Sequence, residues 1–208
     1  MIHIVTADNR RLYHHALMEM HQQRKHMFID QLKWPLEHIA GIETDSFDGA
    51  DVVYLIEAET PRGAVTGSAR LLPTDRPHLL GSVFAHLCSK APPTGANVWE
   101  ATRFCPSPEI GKGEERRALL ARMIAAIMET ALLFGIEQVT FVANSALAPL
   151  AAKAGWQVEA LGKPQRAGRD RASAFVAHID SDGLREVRMR NGIVKPLTRF
   201  HADLAQAA

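Results

Sequence analysis

Residues 98–142 read VWEATRFCPSPEIGKGEERRALLARMIAAIMETALLFGIEQVTFV, a strand, a long helix and a second strand in one run. From Gly113 to about Phe134, the residues Leu119, Leu120, Met123, Ile124, Ile127, Met128, Ala131 and Leu132 fall on one broad apolar stripe, and this spacing predicts a core helix. Gly135 supplies its end, because a residue without a Cβ readily takes the left-handed conformation that closes a helix. VWEATRF (98–104) before the helix and the β-branched run Val139-Thr140-Phe141-Val142 after it have the composition of strands.

The flanking segments continue this mixture. Residues 52–57 (VVYLIE) and 64–72 (AVTGSARLL) are predicted strands joined as a hairpin by Thr60-Pro61-Arg62-Gly63, and Pro73, which has no N–H to donate, ends the second. A short helix around 80–88 and a Pro/Gly loop at 91–95 lead into the strand at 98. Near the N-terminus, Leu12, Leu17, Met20, Phe28 and Leu32 recur at near-helical spacing between Arg10 and about Leu32, after which Pro35 and Gly41 break the pattern. A small-residue helix near 146–154 and strands at 156–161 and 173–179 complete the reading. Strands mixed with helices in this way imply an α/β fold, an α+β sandwich, in which a ligand cleft between strands is common.

The chain has 208 residues, enough for one well-buried domain spanning 1–208. It is 47% apolar and 23% charged with a formal net charge of +1, so it has neither the composition of a disordered chain nor a global field that would draw nucleic acid or an acidic membrane. No stretch resembles a signal-peptide core or a membrane span, and the chain is expected in the cytoplasm. Cys88 and Cys105 fit no metal spacing and read as small buried hydrophobes.

The sharpest chemical feature is Gly41-Ile42-Glu43-Thr44-Asp45-Ser46-Phe47-Asp48-Gly49, with no Lys or Arg anywhere between Leu36 and Thr60. Such a run repels itself unless it is solvated or cations arrive from elsewhere. The spacing is not that of a calcium loop, and no metal site is expected. Arg24, Arg70 and Arg103 are the candidate cations, and with the carboxylates they would form a site for a cationic ligand. Arg70, Glu100 and Arg103 stand within predicted strands, where charge is costly to bury unless paired; they mark either an outward face or a site. His14, His15, His21 and His26 lack the spacing of helical zinc ligands, and Gly67-Ser68-Ala69 lacks the pattern of a nucleophile elbow. Gly111-Lys112-Gly113 is compatible with a phosphate-binding turn and with a plain helix start. Lys163 to Arg171 (KPQRAGRDR) is either a solvated turn or a docking patch for an acidic or phosphate-bearing partner.

Taken in order, Arg24, Phe28, Trp34, Glu43-x-Asp45-x-Phe47-Asp48, Arg70-Leu71-Leu72-Pro73-Thr74, Phe84 and Glu100-x-x-Arg103 resemble the signature of the acyl-homoserine-lactone synthases, the LuxI-type autoinducer synthases, over about residues 1–160. The resemblance implies a fold like that of the GCN5-related N-acetyltransferases, a twisted mixed sheet flanked by helices with a V-shaped acyl cleft between splayed strands. It also implies that S-adenosylmethionine and an acyl thioester, on coenzyme A or acyl carrier protein, meet there as substrates, with no prosthetic group. Glu100 is similar to the family's proposed base, while Arg24, Phe28, Trp34, Glu43, Asp45, Asp48, Arg70, Phe84 and Arg103 would bind S-adenosylmethionine. Met123, Thr140, Val142 and Trp156 are the candidates for the acyl pocket. The run Pro77-His78-Leu79-Leu80 with Phe84 and Leu87-Cys88 looks closer to the branch that uses acyl-coenzyme A than to the carrier-protein branch. Acyl length and branching depend on cavity shape, and no motif sets the oligomeric state.

Two rivals are weighed against this reading. An N-acetyltransferase of the same fold acting on another amine would normally carry Gln/Arg-x-x-Gly-x-Gly/Ala before the core helix, where this chain has Pro108-Glu109-Ile110-Gly111-Lys112-Gly113. The other is a non-catalytic small-molecule-binding or regulatory module that keeps the pocket without turnover, against which the intact Glu100, Arg70 and Arg103 argue.

Overall fold

The helix expected at Gly113–Phe134 runs as α3 from Glu114 to Phe134. Gly135 closes it at φ 70°: the Ile136 N–H donates to the Ala131 carbonyl at 2.8 Å, and Ile136 is buried in the same core as Ala131. This is the left-handed stop that the sequence predicts. The computed structural model describes residues 1–144, 147–167 and 170–202.

Beneath α3 lies an open mixed sheet of nine strands among the described residues: β1 (Ile2–Val5), β2 (Val53–Ala58), β3 (Val65–Pro73), β4 (Val98–Pro106), β5 (Gln138–Asn144), β6 (Val158–Ala160), β7 (Gln165–Ala167), β8 (Asp170–His178) and β9 (Thr198–Arg199). Their order is β6-β8-β5-β4-β3-β2-β1-β9, with β7 also on β8; β4/β5 and β1/β9 are parallel and the other pairs antiparallel. Alternation along each strand sorts the side chains to two faces. Ile2, Ile4, Val53, Leu55, Ala69, Leu71, Val139 and Phe141 meet Met123, Ile124, Ile127 and Met128 of α3, with α4 (Leu147–Lys153) and α5 (Ser181–Arg190) packed beside it. Val5, Val52, Tyr54, Ile56 and Leu72 meet Tyr13, Ala16 and Met20 around α1 (His14–Arg24) on the opposite face.

The site is positioned by a break between two parallel strands. β4 and β5 pair only from Val98 and Gln138 to Ala101 and Phe141; beyond that point β4 stays with β3 while β5 stays with β8, and the two strands part. A β-bulge in β4 accompanies the parting. Thr102 stands opposite Arg70 and Cys105 opposite Ser68, so Arg103 and Phe104 together face the single residue Ala69. Arg103 takes φ 53°, a left-handed conformation uncommon outside glycine. Strict alternation would send Arg103 to the α3 face with Ala101. The extra residue keeps it with Glu100, Thr102 and Cys105 and returns Phe104 to the α3 side.

Several predicted boundaries shift. The single N-terminal helix is three pieces: a 3-10 turn (Arg10–Tyr13), α1 and a π-helical segment (Lys25–Gln31), with Leu12 and Leu32 of the predicted stripe exposed. The helix at 80–88 is α2 (Leu79–Ser82) followed by a 3-10 turn (Ala85–Leu87). The helix near 146–154 is α4, its predicted first residue lying outside the described residues, as do two residues of the 163–171 stretch. β1, β7, β9 and α5 are additions. β1 is only four residues long, with His3 buried among its apolar neighbours, so little local pattern marks it, whereas α5 carries a readable signal in Asp180, which accepts the Gly183 N–H as N-cap, and in the buried pair Leu184 and Val187. No helix of the described residues is long and apolar enough to cross a membrane.

Replacing Gly135 by Ala adds a Cβ that meets nothing within 4 Å, so the change isolates the backbone term. Urea denaturation of Gly135→Ala should give a loss of about 1–2 kcal/mol with an unchanged m-value.

Candidate active site

Folding gathers the acidic run and the three arginines into one network on the α1 face. Arg24 Nε donates to Glu43 Oε2 at 2.5 Å, and its two terminal nitrogens donate to the two oxygens of Asp48, both at 2.9 Å. Arg70 makes the same fork on Asp45 at 2.6 and 3.0 Å, reaches Asp48 Oδ1 at 2.8 Å and donates from Nε to Thr102 Oγ1 at 2.9 Å. Arg103 Nη2 donates to Glu43 Oε1 at 2.9 Å and to Asp45 Oδ2 at 2.8 Å. Three guanidinium groups thus balance three carboxylates where little water reaches them. Two-pronged geometry of this kind makes burial of charge tolerable.

Local structure fixes each partner. The loop after the π-helical segment is tied to α1 by the Glu43 N–H, which donates to the His21 carbonyl at 3.1 Å, and by His21 Nδ1, 2.8 Å from the Glu43 carbonyl oxygen. It then turns on its own side chains: Asp48 Oδ2 accepts the Asp45 N–H and Asp45 Oδ1 accepts the Phe47 N–H, both at 2.9 Å. Tyr54, opposite Arg70 on the neighbouring strand, donates to Asp48 Oδ1 at 2.8 Å. Phe28 stacks on Trp34 with centroids 4.9 Å apart, and the Arg103 guanidinium lies 5.4 Å from the Phe28 centroid. Trp34 is 41% exposed and forms the outer wall of this group.

Burial pushes the Asp48 carboxyl up, but hydrogen bonds and charge from Arg24 and Arg70 outweigh it and hold Asp48 well below the usual range. Glu43 is likewise raised by burial and lowered further by Arg103 and Arg24, ending below its ordinary value. Glu100 goes the other way. It is fully buried, shares a face with Arg70 and Thr102, and among the described residues no guanidinium hydrogen-bonds to it. Oε1 accepts the Leu80 N–H at 2.9 Å, and Oε2 is buried without a partner. Burial raises its pKa to about 7 against the opposing backbone N–H groups of Leu80 and Leu79 and the charges of Arg70 and Arg103.

The structure brings together nine of the predicted residues here: Glu100, Arg24, Phe28, Trp34, Glu43, Asp45, Asp48, Arg70 and Arg103. Phe84 stands apart from the charges, packed with Leu80, Leu87, Val142 and Ala174. The four acyl-pocket candidates divide between the two faces of the sheet. Thr140, opposite Glu100 on β5, and Val142 share its face. Met123 and Trp156 belong to the core on the α3 side, where Trp156 stacks on Phe141 at 4.9 Å. A cavity of about 830 Å³ bounded by β6, β8 and α5 includes Trp156 but none of the charged network. Sequence reasoning missed Tyr54 and Thr102. Period-two spacing gives a signal for Thr102, two residues from Glu100; the polar tip of Tyr54 in an apolar strand is a weaker one.

A family model for autoinducer synthases matches residues 8–189. The chain belongs to the autoinducer synthase family. Among its relatives, an acyl-homoserine-lactone synthase of Rhizobium etli is 33% identical over 165 residues, covering 78% of this chain and 77% of the relative. An isovaleryl-homoserine lactone synthase of Bradyrhizobium diazoefficiens is 34% identical over 166 residues, 79% and 73% of the two chains. The solved structure of the CoA-dependent acyl-homoserine lactone synthase BjaI with SAM and isopentyl-CoA aligns with a TM-score of 0.88 at 30% identity, covering 100% of this chain and 98% of that one. An acyl-CoA N-acyltransferase from Pseudomonas aeruginosa aligns at a TM-score of 0.56 and 15% identity over 85% and 97% of the chains, which shows the shared fold alone. This family member is therefore an acyltransferase of the acyl-homoserine-lactone synthase kind, and the expected N-acetyltransferase-like sheet is present. The rival N-acetyltransferase reading also meets a local obstacle: the Gly111 N–H, which would face a pyrophosphate, donates to Glu115 Oε2 at 2.8 Å.

Because Asp48 and Glu43 are depressed in the folded state, their stabilising contribution is fully present above the ordinary carboxyl pKa of about 4 and is lost progressively as pH falls from there through their lower folded-state values. Acid titration followed by circular dichroism should show this loss. Arg24→Met leaves two buried carboxylates short of a partner; it should cost about 3–5 kcal/mol at pH 7 and flatten the acid limb.

Proposed function

We propose that Glu100 is the general base of acyl-homoserine-lactone synthesis and that the arginine and carboxylate network holds S-adenosylmethionine beside it. The observation that carries this reading is a fully buried carboxyl, raised to about 7, at the point where β4 and β5 part. A base with a pKa near the working pH combines a useful deprotonated fraction with enough affinity for the proton it takes. The unpartnered Oε2 is the oxygen left to accept it.

The α-ammonium of S-adenosylmethionine loses a proton to Glu100, and the free amine attacks the thioester carbonyl. The C–S bond of the thioester breaks, and the thiolate leaves to be protonated. The methionyl carboxylate then attacks its own γ-carbon, the bond from that carbon to the sulfonium breaks, and 5′-methylthioadenosine departs as the lactone ring closes. The sulfonium is already a good leaving group, so ring closure mainly requires position. Phe28 and Trp34 offer ring faces to the sulfonium. Asp45, the most exposed carboxylate of the network, offers negative charge to the ammonium.

On this reading the acyl chain runs from Glu100 over Thr140 and Val142 towards Phe84, and Met123 and Trp156 back that strip from behind β5. The donor is acyl-coenzyme A. Support comes from the Pro77–Cys88 run and from the likeness to two CoA-dependent synthases, BjaI and MesI, the latter at a TM-score of 0.84 and 27% identity. The reading treats residues 1–208 as one synthase domain working in the cytoplasm, where its substrates are made.

Purified protein incubated with S-adenosylmethionine and a panel of acyl-CoA and acyl-carrier thioesters should release 5′-methylthioadenosine and lactone in equal amounts by mass spectrometry. Acyl transfer without 5′-methylthioadenosine would sink the proposal. For the base itself, kcat should rise with pH through about 7 in the wild type. Glu100→Gln should lower kcat on the order of a hundredfold or more, remove that limb and leave S-adenosylmethionine affinity little changed. Equal losses of turnover and affinity would make Glu100 a ligand contact instead.

A further inference from the structure

The three carboxylates of the network are not equivalent. Asp48 receives five donors: the Tyr54 hydroxyl, Arg24 Nη1 and Arg70 Nη1 on Oδ1, and Arg24 Nη2 and the Asp45 N–H on Oδ2. A carboxylate has about four lone-pair positions, so these donors fill Asp48, and four donors (the Phe47 N–H and Arg70 Nη1 on Oδ1, Arg70 Nη2 and Arg103 Nη2 on Oδ2) fill Asp45 as well; exposure is what separates the carboxylates. The Asp48 side chain is 6% exposed and that of Glu43 1%, against 18% for Asp45. Glu43 and Asp48 therefore work as internal counter-ions, and Asp45 is the carboxylate that faces outward.

Of the side chains that fix Asp48, Tyr54 alone is neutral. Two guanidinium groups pull on Asp48, and both stand at the ends of long side chains. The Tyr54 hydroxyl is carried on a ring buried in β2, between β1 and β3, with the His21 ring edge-on to it at 5.9 Å. A rigid donor on the sheet sets where the Asp48 carboxylate comes to rest. Through the Asp45 N–H bonded to Asp48 Oδ2, it also sets the turn that presents Asp45 to Arg70 and Arg103. We infer that Tyr54 is a positioning residue for S-adenosylmethionine, acting through Asp48 on the orientation of Asp45. This inference rests on the network being the S-adenosylmethionine site.

Tyr54→Phe keeps the buried ring and removes only the hydroxyl. The KM for S-adenosylmethionine should rise on the order of tenfold, the loss typical of a hydrogen bond to a charged group, while the KM for the acyl thioester changes less than about twofold. In an Asp48→Asn background the same change should add less than about twofold, since the partner through which the hydroxyl acts has lost its charge. An unchanged KM for S-adenosylmethionine, a parallel rise in both KM values, or an equal loss in both backgrounds would overturn the inference. Where Asp48→Asn does not fold, the split between the two KM values in Tyr54→Phe decides alone. Asp45→Asn, measured by calorimetry with S-adenosylmethionine, separates the two levels of the argument. If it weakens binding and Tyr54→Phe does not, only the role of Tyr54 falls. If neither weakens binding, the network is not the S-adenosylmethionine site.

Discussion

Three arginines brought against three carboxylates beneath the surface are the constraint on which the site depends. None of the six charges is stable there alone, because an unpaired buried ion costs several kcal/mol. Each arginine bridges two carboxylates and grips one of them with two nitrogens. The loop that carries Glu43, Asp45 and Asp48 has almost no regular structure of its own. Its course is set instead by α1 through Arg24, by β3 through Arg70 and by β4 through Arg103. The network is therefore the fastening of the loop and, on the proposed reading, the electrostatic wall of the cleft.

Arg103 joins this network only because β4 bends. A guanidinium three residues after Glu100 belongs by alternation on the opposite face, and the bulge at Arg103 and Phe104 returns it. The same irregularity lies just beyond the point where β4 leaves β5, so one extra residue accompanies both the opening of the cleft and the arming of its rim. A left-handed backbone at an arginine carries strain, of the order of 1–3 kcal/mol. Two hydrogen-bonded carboxylates hold it in place.

What the sequence reveals follows from how local its causes are. The stripe of α3, its stop at Gly135 and the hairpin at Thr60–Gly63 are legible because helix period, left-handed glycine and turn chemistry act over a few residues. The need for cations opposite residues 43–48 is legible for the same reason: charge of one sign in sequence cannot be buried unaided. The bulge at Arg103, the π-helical widening at Lys25–Gln31 and the division of Met123 and Trp156 from Thr140 and Val142 are decided by strand register and by packing between distant segments. No local pattern encodes those. Tyr54 is an intermediate case, since its place in a strand is readable but its hydroxyl finds meaning only when Asp48 arrives from the loop.

On the proposed roles, the contrast between Glu100 and its neighbours would let one face of the sheet serve both binding and proton transfer. Asp48 and Glu43 are buried with guanidinium partners and stay ionised; Glu100 is buried with a backbone N–H and is pushed up to about 7. Had Arg70 reached Glu100 in place of Asp45, the base would have been fixed as a carboxylate too weak to take a proton from an ammonium. Thr102 works against that exchange by accepting Arg70 Nε, turning the guanidinium towards the loop. Separating a guanidinium-bound set of carboxylates from one left without a cation is what the proposed division of tasks rests on, because opposite pKa shifts on neighbouring acids suit one to hold charge and the other to move a proton.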